Sequence, residues 1–589
     1  MTRDFPVPAI EDWQRLTLSV LRRSGRADEN TAAGDAADLL ATTTYDGFPL
    51  APLYTSRDTT VPDGLPGQAP FTRGGGLGGR WDVRTVHTDP DPVRTAAAAR
   101  ADLHGGATSL WLRAAAPEQL GELLTGIPLD RTGIVLDAGT ETDKATAALL
   151  DVAARQTIEP RVLRGNLGAD PYGAFAATGI EPELGVAADL AAQSVTAHPE
   201  LRALTVDVTT YHDAGGSDAE ELGCALATGV AYLRAMSDRG IPLTRSLDQL
   251  EFRYAATADQ FATIAKLRAA RRLWHRVTEV AGANRQSAQR QHAVTSGAMM
   301  TARDPWSNLL RTTLACFGAG VGGAGAITVQ PFDVALGRPD ESAQRIARNT
   351  QLILLDEAHL HRVTDPAGGS WYVESRTDEL ARAAWEWFTT IERAGGIGTA
   401  LRSGLVADRL AATWERRATR LARRQDAITG VSEFPDLDEQ VPDRHAVPPA
   451  PVGGLPRHRY AERFEELRRR ADGATRAPVV HLVTIGRASD HGARVAFAAN
   501  LFAAGGIRTV TTAADEPVSP GAVACVCSSD RLYAEQAASV TAALRQAGAA
   551  KIWLAGRPGG QAGVDDHLYA GCDAVRVLET TLDDLGVPR

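Results

Sequence analysis

The stretch Leu204-Thr-Val-Asp-Val208 and the sequence after it decide the fold. It is a short β-like run, and an Ala- and Leu-rich helical stretch separates it from the next run, Leu250-Glu-Phe252. Such runs recur at Ser109–Leu112, Ile134–Leu136, Arg161–Leu163, Leu204–Val208, Leu250–Phe252, Ala293–Thr295, Ile327–Val329 and His361–Val363. Strand, helix, strand at this spacing is typical of parallel βα units. Eight units predict a closed (β/α)8 barrel of the TIM type.

A second, smaller domain is predicted after the barrel. Residues 405–425 are basic and helical in pattern, and Phe434 to Arg459 carries six prolines, which predicts an extended connector. Beyond it, helical stretches alternate with β-like runs at Val479–Ile485, Arg508–Thr511, Val523–Cys527, Lys551–Ala555 and Asp573–Val577. This alternation predicts a doubly wound parallel sheet of the flavodoxin-like type. The predicted domains are therefore an arm (1–45), the barrel (46–430), an extended linker (431–475) and the sheet domain (476–589). The arm is predicted to contain a helix from Trp13 to Ser24, with Leu16, Val20 and Leu21 on one face.

Composition and charge exclude several classes of protein. The 62 basic and 72 acidic residues give a net charge of −10, which argues against a non-specific nucleic-acid binder or an anionic-membrane binder. The segment Met1 to Pro8 lacks the apolar run of a signal peptide, so we expect a cytoplasmic protein. Five scattered cysteines fit a reducing compartment. Cys525 and Cys527 alternate with valine, as buried strand thiols do, although redox or metal chemistry is the alternative.

Two motifs near the predicted strand ends suggest sites. Tyr211-His212-Asp213 follows the strand Leu204–Val208 and therefore belongs to the barrel's carboxyl-end mouth, where barrel enzymes do their chemistry. His212 either acts on a substrate or hydrogen-bonds the loop backbone, and no paired acid is evident. Gly318 to Gly323 fits G-x-G-x-x-G, but a helix precedes it and a strand follows, so tight helix-to-strand packing is the better interpretation than a dinucleotide site.

Several stretches together resemble the adenosylcobalamin-dependent acyl-CoA mutases, above all the methylmalonyl-CoA mutase family. The matching blocks are Tyr45 to Thr55, Pro70-Phe-Thr-Arg-Gly74, Tyr211-His212, Asp304-Pro-Trp-Ser-Asn-Leu-Leu-Arg-Thr312, Arg345-Ile-Ala-Arg-Asn-Thr-Gln351 and Thr364 to Glu374. The resemblance implies a barrel that binds acyl-CoA along its axis and a flavodoxin-like domain that holds cobalamin. It also implies a radical rearrangement interconverting (R)-methylmalonyl-CoA and succinyl-CoA, which a closed barrel shields from solvent.

Two departures from the family pattern indicate a chain without its own chemistry. In cobalamin-binding relatives a D-x-H-x-x-G loop supplies the cobalt-ligating His and its supporting Asp. Alignment on Gly492 places Arg487 at the Asp and Ser489 at the His, and His491 lies two residues out of register. A serine hydroxyl is a poor cobalt ligand, and arginine cannot accept the imidazole's proton. The substrate-contacting tyrosine is also missing, because no tyrosine occurs between Tyr54 and Tyr172.

Other stretches look like the non-catalytic small subunit of this family, which pairs with a large, cobalamin-loaded subunit. They are Trp81 to Thr85 with His87 to Pro90, Gly165 to Tyr172, and Val526 to Tyr533. We therefore expect a small (β) subunit in a heterodimer with a large (α) subunit, which holds adenosylcobalamin and the acyl-CoA substrate. No cofactor-binding, metal-binding or catalytic residue is expected in this chain, with His212 and Tyr211 as remnants. The alternatives are a catalytically active homodimer and a non-catalytic acyl-CoA-binding regulatory protein.

Overall fold

A computed structural model of the chain describes residues 9–58, 64–76, 78–113, 116–283, 288–447, 452–560 and 563–589. Met1 to Pro8, on which the signal-peptide prediction rests, lie outside the described residues, as does Leu77. Within the described ranges, no helix combines the length and the apolar character needed to cross a membrane.

The predicted barrel is confirmed. A short antiparallel pair, β1 (Thr42–Thr43) and β2 (Pro49–Leu50), precedes it. The barrel strands are β3 (Asp82–His87), β4 (Ser109–Arg113), β5 (Gly133–Asp137), β6 (Gly165–Ala169), β7 (Leu201–Asp207), β8 (Leu250–Ala256), β9 (Gln291–Thr295) and β10 (Ala326–Thr328). All neighbours are parallel, and β10 pairs with both β9 and β3, so the sheet closes in sequence order.

Helices follow most of the strands and cover the barrel. In the arm and barrel they are α1 (Ile10–Arg23), α2 (Pro92–His104), α3 (Leu120–Leu123), α4 (Thr142–Arg155), α5 (Pro171–Thr178), α6 (Leu184–Ala197), α7 (Thr209–Asp213), α8 (Asp218–Asp238), α9 (Leu243–Asp248), α10 (Gln260–Val280), α11 (Asn308–Val321), α12 (Glu341–Leu352), α13 (Trp371–Arg393), α14 (Ile397–Arg402) and α15 (Leu405–Ala422). The start of α8 is fixed by a capping box, in which Ser217 and Glu220 each accept from the other's amide. The three residues predicted to share one face of α1 differ in exposure: Leu21 is buried, whereas Leu16 and Val20 are exposed, and Leu18 is the second buried residue.

Two of the eight predicted barrel strands were wrong, and one real strand was missed. His361–Val363 belongs to a 3₁₀ turn (Leu360–Arg362) and its end, and the eighth strand is instead β3. The sequence of β3 lacks an apolar run because Arg84 faces the barrel interior while His87 faces Asp102 of α2, 3.5 Å away.

The predicted strand Arg161–Leu163 was also wrong, because the strand begins four residues later, at Gly165. Gly165 and Gly168 have positive φ angles of 136° and 74°, and a β-carbon on either would overlap the carbonyl oxygen of Ile134 or Leu136 in β5. Only glycine allows this close approach of two backbones. The apolar pattern used for prediction does not report such a strand.

The second domain is the predicted flavodoxin-like sheet. Its strands are β11 (Val479–Thr484), β12 (Arg508–Ala513), β13 (Val523–Cys527), β14 (Lys551–Ala555) and β15 (Asp566–Leu568), all parallel in the order β12-β11-β13-β14-β15. Its helices are α16 (Glu462–Asp472), α17 (Ala488–Ala504), α18 (Asp530–Gln546) and α19 (Ala574–Asp584).

Two predictions about the second half of the chain need correction. Asp573–Val577 is not a strand, because Asp573 accepts a hydrogen bond from Arg576 N at 3.0 Å and caps the start of α19. The segment predicted as an extended linker also contains α16, and Phe464 and Leu467 of this helix pack into the core of the sheet domain. The irregular part of the connector precedes α16.

Charged and aromatic side chains fill the barrel axis. Arg84 on β3 forms a buried ion pair with Glu251 on β8, and these strands are not neighbours, so the contact crosses the interior. One level further along, the Arg253 guanidinium carbon of β8 lies 4.0 Å from the ring centroid of Trp111 on β4. Arg253 Nε also donates to His292 Nδ1 at 3.1 Å. The centre of the barrel is therefore packed with side chains.

We predict that Arg84→Met destabilises the chain by about 3–5 kcal/mol, because it leaves the Glu251 carboxylate buried without its cation. The measurement is the free energy of unfolding in urea. Arg94→Met is the matched control, since Arg94 forms only exposed pairs with Asp89 and Asp91, and a change below about 1 kcal/mol is expected. Equal effects of the two substitutions would contradict the assigned role of the axial pair.

Candidate functional site at the barrel mouth

His212 lies at the carboxyl-end mouth of the barrel, as predicted. It belongs to α7, directly after β7, and its Nε2 is 2.7 Å from Ser296 Oγ, which follows β9. Its Nδ1 is 3.8 Å from Glu221 Oε2. Burial, together with the positive charges of Lys266 and Arg417, lowers the pKa of His212 to about 3. The imidazole is therefore neutral at physiological pH.

The acid beside His212, which the sequence did not reveal, is already engaged. Lys266 Nζ lies 2.7 Å from Glu221 Oε2 and 2.9 Å from Asp218 Oδ1, and all three side chains are largely withdrawn from solvent. Ala255 N also donates to Glu221 at 2.8 Å. Burial raises the pKa of Glu221 to about 7 in spite of Lys266. One signal could have pointed here, because Lys266 is one of only three lysines in the chain.

The side chain of Tyr211 points in the opposite direction from that of His212. Its ring is buried in the main hydrophobic core, and burial raises the pKa of its hydroxyl well above 10. His212, by contrast, lines a cavity of about 610 Å³ at the mouth, together with Met299 and Tyr460. The two adjacent residues are thus separated in function, because only His212 faces a space that a ligand can enter.

The end of the connector crosses the barrel mouth. Leu455 N donates to Ala176 O at 2.7 Å, His458 N to Asp213 O at 2.8 Å and Tyr460 N to Ala298 O at 2.8 Å. These acceptors follow β6, β7 and β9, which lie within one half of the ring. Backbone hydrogen bonds therefore hold the connector over the strand ends where barrel enzymes bind substrate.

The loop after β11 carries Arg487 and Ser489, the two residues predicted to replace a cobalt ligand and its support. Arg487 is the N-cap of α17, its amide donates to Asp490 Oδ2 at 2.9 Å, and both Arg487 and Ser489 are exposed. His491 lies in the first turn of α17, and its Nδ1 is buried with no hydrogen-bond partner among the described residues. The helix starts where an extended ligand loop would be needed.

The crevice beside that loop is occupied by side chains. In a doubly wound sheet, ligands bind where the strand order reverses, which is here between β11 and β13. Arg494 of α17 lies across this point and donates to Ser528 O and to Asp530 Oδ1, both at 2.6 Å. Its guanidinium carbon is 4.9 Å from the ring centroid of Tyr533. These residues do not fit a corrinoid, because they offer neither an imidazole ligand nor an open crevice.

The remaining motifs have structural partners. Arg268 binds the carboxylates of Asp365 and Glu374, the latter at 2.6 Å, and Arg73 Nε donates to Asp365 at 2.9 Å. The Arg73–Asp365 ion pair therefore ties the Pro70–Gly74 block to the Thr364–Glu374 block, and the buried Arg268 joins the two carboxylates of the second block. Gly320 lies against the ring of Trp81. The G-x-G-x-x-G stretch therefore allows close packing, as predicted from the helix before it and the strand after it.

The cysteines are all free and buried, and Cys525 and Cys527 lie in β13 as predicted strand thiols. Their sulfur atoms are 3.9 Å apart, and burial raises the pKa of Cys525 well above 9. Across the described ranges, no group of three His, Cys, Asp or Glu side chains is placed to hold a metal ion.

An arginine-rich cavity of about 560 Å³ lies at the opposite, amino-end side of the barrel. Three carboxylates (Asp82, Glu251 and Asp365) and six arginines (Arg73, Arg80, Arg84, Arg202, Arg271 and Arg290) line it. Arg202 forms no hydrogen bond or ion pair through its side chain within the described part of the chain, and its Nε is buried. The excess of positive charge favours an anion here.

Comparison with known proteins places this architecture in a family. The family model described as methylmalonyl-CoA mutase matches residues 114–505. The chain is 53% identical to a methylmalonyl-CoA mutase small subunit of Streptomyces virginiae, covering 100% of this chain and 98% of the relative. It is 40% identical to the small subunit of Propionibacterium freudenreichii subsp. shermanii, covering 100% and 96%. A methylmalonyl-CoA mutase of Cereibacter sphaeroides is 30% identical over 72% of this chain and 64% of the relative. The chain therefore belongs to the methylmalonyl-CoA mutase family, and its full-length relatives are small subunits.

Proposed function

We propose that the chain is the small (β) subunit of an adenosylcobalamin-dependent methylmalonyl-CoA mutase. It supports a catalytic large (α) subunit in a heterodimer and performs no chemistry itself. The observation that carries this proposal is the start of α17, where Ser489 replaces a cobalt ligand and the neighbouring crevice is filled. The holoenzyme would then act in the cytoplasm, in propionate metabolism.

The cofactor belongs to the large subunit in this proposal. Cobalamin would need a nitrogen ligand at the position of Ser489 and room between β11 and β13. Arg494 takes that room and is held there by Ser528 and Asp530. Two independent obstacles therefore stand against a corrinoid in this chain.

The acyl-CoA substrate also belongs to the large subunit. A thioester threading the barrel would have to displace the Arg84–Glu251 pair and the Arg253–Trp111 contact, each of which crosses the axis. Removing either partner of a buried pair is costly. His212 and Tyr211 are then remnants, because one faces Glu221, which Lys266 already engages, and the other lies in the core.

A stable association with a related chain explains why a subunit without a site is retained. Two barrels of one family can pair through equivalent surfaces about a pseudo-two-fold axis. Binding to the folded state stabilises both partners by mass action, whether or not each partner carries a working site. Relatives named small subunits match the chain from end to end, which supports this role.

A reconstitution experiment tests the assignment. We expect the purified chain, mixed with adenosylcobalamin and passed through gel filtration, to retain no corrinoid absorbance and to turn over no methylmalonyl-CoA. Addition of the large subunit should give an active 1:1 complex. A corrinoid spectrum and turnover by the chain alone would instead support the homodimeric enzyme.

The two obstacles to cobalamin can be separated by substitution. We predict that Arg487→Asp combined with Ser489→His does not restore corrinoid binding, because α17 still begins at Ala488 and Arg494 still fills the crevice. The measurement is the absorbance retained on the protein after desalting, with thermal unfolding as the check of folding. A stable corrinoid complex of this double variant would show that the missing ligand was the sole obstacle.

His212 can be tested in the assembled enzyme. We predict that His212→Gln changes kcat of the heterodimer by no more than about twofold, because a remnant residue takes no part in proton transfer. The matched control is the same substitution at the corresponding histidine of the large subunit, for which we expect a loss of about 10²-fold or more. A comparable loss from His212→Gln would make this barrel a second active site.

The amino-end cavity favours a second candidate, a regulatory protein that binds acyl-CoA through its phosphates without chemistry. Calorimetric titration of the isolated chain with CoA tests it. If this candidate is correct, CoA binds to the isolated chain. Arg202→Gln then weakens CoA binding about tenfold, because it removes a charge-assisted contact. Absence of binding at about 1 mM CoA would leave the subunit role alone.

A further inference from the structure

Arg417 is a half-buried cation without a protein anion. It lies in α15, where its guanidinium carbon is 4.0 Å from the ring centroid of Tyr45 and 5.0 Å from that of Tyr460. Its side chain forms no hydrogen bond or ion pair with any described residue, and its Nε is fully buried. With aromatic rings against the guanidinium, its N–H edge is the part left to bind a ligand.

The carboxylates near Arg417 are bound to other groups. They line the same cavity and are held as follows: Asp46 by the amide of Ala219 at 2.8 Å, Asp218 by Lys266 at 2.9 Å, Asp259 by Arg376 at 2.9 Å, and Asp426 by Arg420 at 2.8 Å. Arg311, which also lines the cavity, bonds only to neutral oxygens of Thr301, Asn308 and Thr429. Two guanidinium groups in this cavity therefore lack a carboxylate.

The cavity is amphipathic. Besides Arg417 and the ring of Tyr460, apolar side chains line it, including Leu50, Leu310, Leu314, Leu421 and Ile428. Leu310 is 69% exposed and Leu314 is 42% exposed, so these two leucines form an apolar rim on α11, whereas Arg417 is half-buried and its Nε is withdrawn from solvent. The volume of about 610 Å³ holds more than an inorganic anion.

We propose that this cavity binds an amphipathic carboxylate, whose carboxylate group accepts hydrogen bonds from Arg417 and the Tyr460 hydroxyl and whose hydrocarbon part lies against Leu310 and Leu314. An arginine edge matches a carboxylate in a bidentate arrangement. The exposed leucines give the chain of the ligand an apolar surface that would otherwise face water. This site lies in the cavity that His212 also lines, but it does not rest on the proposed subunit role, since its binding groups come from α11, α15 and the end of the connector.

Calorimetric titration of the full chain with sodium octanoate tests the site. We expect octanoate to bind at least about tenfold more tightly than acetate, because its methylenes are buried. Phosphate, which lacks the tail, and octanol, which lacks the charge, should both bind more weakly than octanoate. Acetate and phosphate separate recognition of any small oxyanion from recognition of an amphipathic one.

Four variants locate the ligand. Arg417→Gln should weaken octanoate binding at least about tenfold, whereas Arg423→Gln, an exposed arginine after the same helix, should leave it unchanged. Leu310→Ser should weaken octanoate binding without changing the affinity for acetate. If thermal unfolding shows that Arg417→Gln is misfolded, Tyr460→Phe and Leu310→Ser carry the test, because the first removes only a hydroxyl and the second alters an exposed residue.

Several results would overturn the proposal. They are no octanoate binding at millimolar concentration, binding that Arg417→Gln or its substitutes leave unchanged, and equal affinities for octanoate, acetate and phosphate. Loss of octanoate binding in the heterodimer would also overturn it, because a group of the large subunit would then be the natural occupant of the cavity.

Discussion

The fold depends on charges that meet across the barrel axis. Arg84 and Glu251 come from strands that are not neighbours, so their pairing requires the barrel to be closed. The stacking of Arg253 on Trp111 repeats this constraint one level along the axis. Buried ion pairs add little net stability over apolar residues, but leaving one partner unpaired is strongly unfavourable. This asymmetry favours the closed arrangement and fills the space that a threaded ligand would need.

Much of this architecture could be predicted from the sequence, and the failures have physical reasons. Apolar runs between helical stretches indicated six of the eight barrel strands. β3 was missed because its inward Arg84 and outward His87 are satisfied by distant partners, which a local pattern does not report. β6 was misplaced because its glycines are required by close backbone contact rather than by burial of side chains. In the sheet domain, the apolar pattern of Val575 and Val577 is compatible with a strand or a helix. The segment is a helix, whose start is capped by the side chain of Asp573.

The candidate site was predictable in position but not in composition. His212 follows a strand, so its place at the mouth came from topology alone. Glu221 and Lys266 could not be assigned to it, because α8 and α10 bring them there from separate parts of the chain. The family motifs similarly meet in space: the ion pair of Arg73 with Asp365 joins two blocks that are far apart in sequence. These motifs therefore supply contacts that hold the fold.

The closure of the mouth distinguishes this chain from a barrel that needs a ligand to complete it. The connector is fixed over the strand ends by backbone hydrogen bonds to Ala176, Asp213 and Ala298. Such bonds depend on the chain alone, so the connector lies over these strand ends before any cofactor or partner arrives. A barrel whose axis is filled by its own residues gains no stability from a ligand along that axis. Its folded state can therefore serve as a ready-made partner surface, which is what a supporting subunit requires.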